Sequence, residues 1–142
     1  VRKKIVSPAH GRQAVRGVVA EGMCSGRAAC RYLGLPTKAE HRGHVWSWDS
    51  VADATVRGGA LKTLTILDEY TRECHVLRAD RALRSADVLE WLKRAIAAHG
   101  APAYPRGDNG PEFIANELQR WLAENRIKTI YIDPGSPWQN GF

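Results

Sequence analysis

Cysteine is scarce in this 142-residue chain: Cys24, Cys30 and Cys74 are odd in number and scattered. That excludes a disulfide framework and fits thiols kept reduced in a cytosol. Long apolar runs are missing as well. None approaches the roughly 18 residues that a spanning helix needs, and the N-terminus has no continuous apolar signal core. These absences predict a soluble cytoplasmic protein with no membrane partner. Acidic residues are few at one end. Residues 1–44 hold nine Lys or Arg (Arg2, Lys3, Lys4, Arg12, Arg16, Arg27, Arg31, Lys38, Arg42) against Glu21 and Glu40. That segment is therefore +7 in a chain of net charge +6, and the remainder is −1. A basic arm on a neutral body suits a polyanion, because each neutralised phosphate releases condensed counterions. A solvated basic tail is the alternative that charge alone leaves open.

Cys24, Cys30, His41 and His44 come in the order of a Cys2His2 zinc site. Five residues between the cysteines and two between the histidines miss the usual spacings. The order is read as coincidence, with Cys30 a small buried residue of a helix.

The length suits one compact domain, or a small core with an appendage. Residues 7 to 21 read as a helix, with Ser7 as N-cap, Pro8 at the first helical position, and Ala14, Val15, Val18 and Val19 on one stripe. A second short helix follows Ser25, runs to Leu33 and stops at Gly34, with Pro36 beyond. From His44 the pattern turns to strands: Val45 to Val56, Leu61 to Asp68 and Glu73 to Ala79, an antiparallel meander punctuated by Arg57-Gly58-Gly59 and Glu69-Tyr70-Thr71-Arg72. Ser85 is expected to cap a helix with Val88, Leu92, Ala95, Ile96 and His99 on one face, His99 facing the negative end of the helix dipole. A strand at Ala103 to Arg106, a helix at Ala115 to Glu124 and a strand at Ile127 to Ile132 complete the pattern. Strand, helix and strand with tight loops imply right-handed crossovers and parallel pairing.

Four segments carry more than secondary structure: Trp46-Ser47-Trp48-Asp49, Ile66-Leu67-Asp68-Glu69-Tyr70-Thr71-Arg72-Glu73, Asp108-Asn109-Gly110-Pro111-Glu112-Phe113 and Pro134-Gly135-Ser136-Pro137-Trp138-Gln139-Asn140-Gly141. In type and order they resemble the catalytic core of insertion-sequence transposases related to retroviral integrases. The resemblance implies an α/β fold of the ribonuclease H-like kind, a five-stranded mixed sheet of order 3-2-1-4-5, over residues 44–142. It also implies that residues 1–43 are a basic, helix-turn-helix-like DNA-binding head, shortened because no further helix fits between Pro36 and the first strand.

By the same resemblance Asp49 and Asp108 are the first two carboxylates of a catalytic triad, and both are metal ligands. Cutting or joining a phosphodiester needs charge stabilisation on the attacking and leaving oxygens, which two divalent metals supply. Hard Mg²⁺ or Mn²⁺ takes carboxylate oxygens, and two neighbouring carboxylates repel unless a cation lies between them. In the family a glutamate follows the Asn-Gly-aromatic element by two residues, and the sequence stops at Phe142. The expectation is loose metal binding and weak or absent strand transfer, with Glu112, assigned to a loop, a poor substitute. Arg12, Arg16, Arg27, Arg31, Trp138, Gln139 and Asn140 are the expected contacts to double-stranded DNA, the element ends and target. A homo-oligomer, a nucleoid-associated location and no small-molecule substrate complete this reading. The alternative is a non-catalytic DNA-binding or subunit-poisoning remnant.

Three further expectations concern structure. Asp68 and Arg72 pair within their turn. Asp53 is a solvated strand-end carboxylate or an outer group of the site. Pro105, three residues before Asp108, disturbs a strand flanked on both sides by removing a ladder donor.

Overall fold

A computed structural model of the chain describes residues 34–107 and 110–131. The two expected N-terminal helices, the cysteines at 24 and 30, Arg12, Arg16, Arg27, Arg31, Asp108, Asn109, Trp138, Gln139 and Asn140 lie outside the described residues.

The meander forms as expected. β1 (Val45–Ala54), β2 (Ala60–Asp68) and β3 (Cys74–Asp80) pair antiparallel in sequence. The β1–β2 hairpin is closed by Thr55 N–H donating to Gly59 O at 2.8 Å and Gly58 N–H donating to Thr55 O at 2.7 Å. Gly58 has φ +78°, a conformation that side chains with a Cβ rarely adopt. β1 ends at Ala54, two residues earlier than the β-branched run suggested, because this turn already claims Thr55.

α1 (Ser85–His99) then crosses one face and β4 (Tyr104–Gly107) returns parallel to β1, with Val45, Trp46 and Ser47 opposite Tyr104, Pro105 and Arg106. α2 (Pro111–Ile114), α3 (Asn116–Glu124) and β5 (Ile130–Tyr131) follow, β5 parallel to β4. The sheet order is β3-β2-β1-β4-β5, the expected one. The core lies between the sheet and the helices. Trp46, Trp48, Leu64, Ile66 and Val76 meet Val88, Leu89 and Leu92 of α1, Phe113 of α2, and Leu118 and Leu122 of α3. No helix among the described residues is long and apolar enough to cross a membrane.

Four local expectations need correction. Arg84, not Ser85, is the N-cap of α1: its N–H donates to the Asp87 carboxylate at 2.8 Å, so the third helical residue reaches back to the cap. A one-turn helix, α2, occupies the stretch read as a loop. Pro111 supplies a helical φ at the first position, and Phe113 and Ile114 N–H both donate to Gly110 O. β5 starts at Ile130, later than the apolar run, because Arg126 turns with φ +59° and Ile127 N–H donates back to Leu122 O, spending the start of the run on ending α3. Pro105 stays within β4 and is buried. Tyr104 N–H donates to His44 O at 3.0 Å, so alternation turns the Pro105 nitrogen away from β1 and toward β5. There the ladder starts only at Arg106 and Ile130, and the β1–β4 pairing survives the proline.

Candidate active-site edge

Asp49 is an exposed residue of β1, opposite Thr65 of β2. Side chains alternate along a strand, so Asp49 shares a face with Ser47 while Trp48 and Ser50 point to the other. The two faces are occupied differently. Trp48 is 1% exposed and stacks on Phe113, with centroids 5.1 Å apart and planes 12° apart. It also fills the space over Gly107: a Cβ there would lie 1.9 Å from Trp48 Cδ1 and 2.6 Å from the Trp48 carbonyl oxygen. Thus the residue next to Asp49 is in contact with Gly107 at the end of β4 and with Phe113 of α2, which flank positions 108 and 109 on either side. The described β1–β4 register runs as far as Ser47 opposite Arg106.

Glu112 is buried on the Trp48 face. Its Oε1 accepts a hydrogen bond from Ser50 Oγ and faces Lys62 Nζ at 3.5 Å. Burial alone would raise its pKa, but the Ser50 hydroxyl, its own backbone N–H and Lys62 outweigh that and hold it below the usual carboxylate value. The sequence reading put this residue in a loop. Instead, Pro111 starts a turn that carries Glu112 and Phe113 inward together. Its carboxylate is engaged behind β1, on the face opposite Asp49.

On the Asp49 face lies a charge pair that the sequence reading missed. Ser47 Oγ donates to Glu69 Oε1 at 2.9 Å, and Glu69 Oε2 lies 3.0 Å from Arg106 Nη1, their side chains only 3% and 8% exposed. Arg106 also donates from Nη2 to Pro36 O at 2.6 Å and from Nη1 to Thr37 O at 3.5 Å. It therefore pins the chain entering the core to the strand that leads to position 108. Burial pushes the Glu69 pKa up, and Arg106 and Ser47 recover only part of that cost. The one available signal was the sheet order itself, which sets Arg106 beside Ser47.

Asp68 is fully buried, and backbone donors fill its carboxylate: Gly43 N–H at 2.6 Å, Tyr70 N–H at 2.8 Å and Thr71 N–H at 3.0 Å. The expected Asp68–Arg72 contact is made through the backbone, with Arg72 N–H donating to Asp68 O at 2.9 Å. Burial works to raise the Asp68 pKa, yet the Thr71, Gly43 and Tyr70 donors win and lower it from the usual 3.8. A group lowered on folding stabilises the protein above its ordinary pKa and loses that contribution as pH falls through the folded value. Asp68→Asn should cost about 1–3 kcal/mol near neutral pH, since the amide cannot accept from every one of these donors. The difference from wild type should shrink as pH drops below about 4, the ordinary carboxylate range. Urea denaturation across pH 2.5–7 checks this, and parallel stability curves would contradict it. Asp53 is exposed, and its Oδ1 accepts the neighbouring Ala54 N–H at 2.7 Å, as a strand-end carboxylate does.

Residues 39–137 match the family model described as integrase core domain. The chain is 37% identical over 97 residues to the insertion element IS476 uncharacterized 39.2 kDa protein of Xanthomonas euvesicatoria, covering 68% of this chain and 28% of that one. It is 36% identical over 98 residues to the insertion element IS407 uncharacterized 31.7 kDa protein of Burkholderia multivorans, covering 69% and 35%. The chain thus spans roughly a third or less of these relatives' length. Among solved structures, the HTLV-2 integrase catalytic core domain in complex with magnesium, in its dimeric form, superposes with a TM-score of 0.59 at 19% identity over 67% of this chain and 64% of that one. The simian T-cell lymphotropic virus intasome complexed with a PP2A regulatory subunit gives 0.62 at 17% identity over 95% and 55%. At such identities these two likenesses establish the fold.

Proposed function

The chain belongs to the integrase core domain family, and on that premise we propose that it is the core of an insertion-sequence transposase whose Asp49 and Asp108 hold divalent metal for cutting and joining DNA. The observation that carries this reading is the clamp on Trp48. Gly107 and Phe113 bracket the Asp108 segment, and both lie against the residue next to Asp49.

The donors suit the metal class. Asp49 is an exposed carboxylate, the oxygen donor that Mg²⁺ and Mn²⁺ prefer. When bound, such ions stabilise charge on the attacking and leaving oxygens of an in-line displacement. The chain's own contribution is to aim. Trp48, packed against both Gly107 and Phe113, fixes the backbone on which Asp49 stands, and the Glu69–Arg106 pair braces the neighbouring stretch of β1 and β4. Double-stranded DNA is the substrate class, with Arg12, Arg16, Arg27, Arg31, Trp138, Gln139 and Asn140 as its contacts and a homo-oligomer as the working form.

Assayed alone, the 142 residues should bind metal weakly and transfer strands poorly. Glu112 cannot serve as a further ligand beside Asp49, because Ser50 and Lys62 hold it on the opposite face of β1. DNA binding without strand transfer is then the activity expected of these residues. A calorimetric titration with Mn²⁺ tests the site. Asp49→Asn and Asp108→Asn should each abolish the heat of binding while leaving the thermal midpoint intact. Unchanged binding in both would sink the assignment, and robust Mg²⁺-dependent nicking lost in Asp108→Asn would overturn the weak-activity part. Duplex affinity should fall with salt at a log–log slope of about −0.9 per phosphate neutralised.

A further inference from the structure

Away from Asp49, the start of β3 and the end of α1 bring together three side chains that the proposed function does not use. Glu73 precedes β3, His75 is its second residue and His99 is the last residue of α1. The His75 and His99 rings stack with centroids 3.9 Å apart and planes 28° apart, and His99 Nδ1 lies 3.8 Å from Glu73 Oε1. One potential ligand atom from each residue lies within 4.8 Å of the other two. We propose that Glu73, His75 and His99 form a binding site for a transition-metal cation of the Zn²⁺ type, bracing the edge strand β3 to the C-terminus of α1.

Several observations converge on this. Glu73 divides its oxygens: Arg42 Nη2 holds Oε2 at 2.9 Å, which orients the carboxylate and leaves Oε1 toward the histidines. Such an outer hydrogen bond is what positions a metal-binding carboxylate. The buried Nδ1 of His75 has no hydrogen-bond partner, and its ring packs on Trp46 at 4.4 Å between centroids. The site also lies at the C-terminal end of a 15-residue helix, where a cation is favoured.

The donor set decides the class of ion. Two imidazoles and one carboxylate suit Zn²⁺ or Co²⁺, whereas Mg²⁺ prefers oxygen alone. Tetrahedral coordination at 2.0–2.1 Å sets ligand atoms about 3.4 Å apart. The ligand atoms, within 4.8 Å of one another, must close by up to about 1.4 Å, and the stacked imidazoles must turn so that their in-plane lone pairs converge, a movement that falls to the exposed Glu73 and His99. Solvent would complete the shell. The brace is separate from the proposed catalytic edge: His75 packs beside Trp46, which pairs with Asp68, while Asp49 is three residues farther along β1, roughly 10 Å away.

The test is equilibrium dialysis of the metal-stripped chain against ZnCl₂, with thermal denaturation in parallel. One Zn²⁺ per chain and a raised midpoint are expected. His75→Gln and His99→Gln should each weaken binding on the order of 100-fold, and Asp49→Asn should leave it unchanged. His99 is at an exposed helix end, so His99→Gln should keep the metal-free midpoint of wild type and remain informative should His75→Gln fail to fold. Cobalt substitution should give the intense visible bands of a tetrahedral site, lost in His99→Gln. Zinc binding that survives both substitutions, or that depends on Asp49, overturns the proposal, as does no binding by the folded chain.

Discussion

Gly107→Ala should unfold at markedly lower urea than wild type, by about 3 kcal/mol, the upper end of what overpacking a core usually costs. The backbone at Gly107 lies in a β-strand, so alanine's conformational preference is not the obstacle. Space is. The new Cβ would stand 1.9 Å from Trp48 Cδ1 and 2.6 Å from the Trp48 carbonyl oxygen. An indole in an open site can rotate away from a methyl, but Trp48 is 1% exposed and stacked on Phe113, and a main-chain oxygen in a sheet cannot turn aside without moving β1. The strain therefore falls on the strand that carries Asp49. Metal binding at the proposed catalytic edge should be lost even under conditions where the variant remains folded. An unfolding free energy within about 0.5 kcal/mol of wild type, the range of an ordinary surface change, would show that β4 does not press on Trp48 in this way.

Arg106→Met should destabilise the protein by about 3–5 kcal/mol at neutral pH, because it leaves the Glu69 carboxylate buried without its cation. The loss should depend on pH in a particular direction. Glu69 already has a raised pKa in the folded protein, from burial that Arg106 only partly offsets. A carboxylate raised on folding holds more protons in the native state than in the unfolded one, between the ordinary and the folded pKa. Stability from this group is present below the ordinary value of 4.5 and is lost as pH rises through the folded one. Removing Arg106 raises the group further. The penalty should therefore be greatest near pH 7 and should shrink on acidification as Glu69 becomes protonated. The companion Glu69→Gln leaves the buried Arg106 guanidinium without its carboxylate, so it should be destabilising as well. A pH-independent penalty would assign the role of Arg106 to its bonds with Pro36 and Thr37 instead.

Much of the fold is legible from local pattern. Alternating β-branched and aromatic residues separated by Arg57-Gly58-Gly59 can hardly form anything but a hairpin, and the stripe Val88, Leu92 and Ala95 does face the core. Boundaries were less legible where two elements compete for the same residues. The run from Ile127 reads as strand, yet its first residue is spent closing α3. Glu112 was misjudged because its position just after the fourth strand reads as loop, while Pro111 in fact opens a helical turn that swings it under Ser50 and Lys62.

The sequence by itself determined the order of strands and helices and the family, because these follow from hydrophobic period, turn chemistry and motif order, all of which are local along the chain. Tertiary structure alone decided which charges meet. Glu69 with Arg106, Glu112 with Ser50 and Lys62, and Glu73 with His75 and His99 come from separate elements. No spacing rule joins residues that only the parallel return of β4 and the packing of α1 on the sheet bring within a few ångströms; burial then raises the pKa of Glu69 and lowers that of His75, while the Ser50 and Lys62 contacts overcome burial and lower that of Glu112.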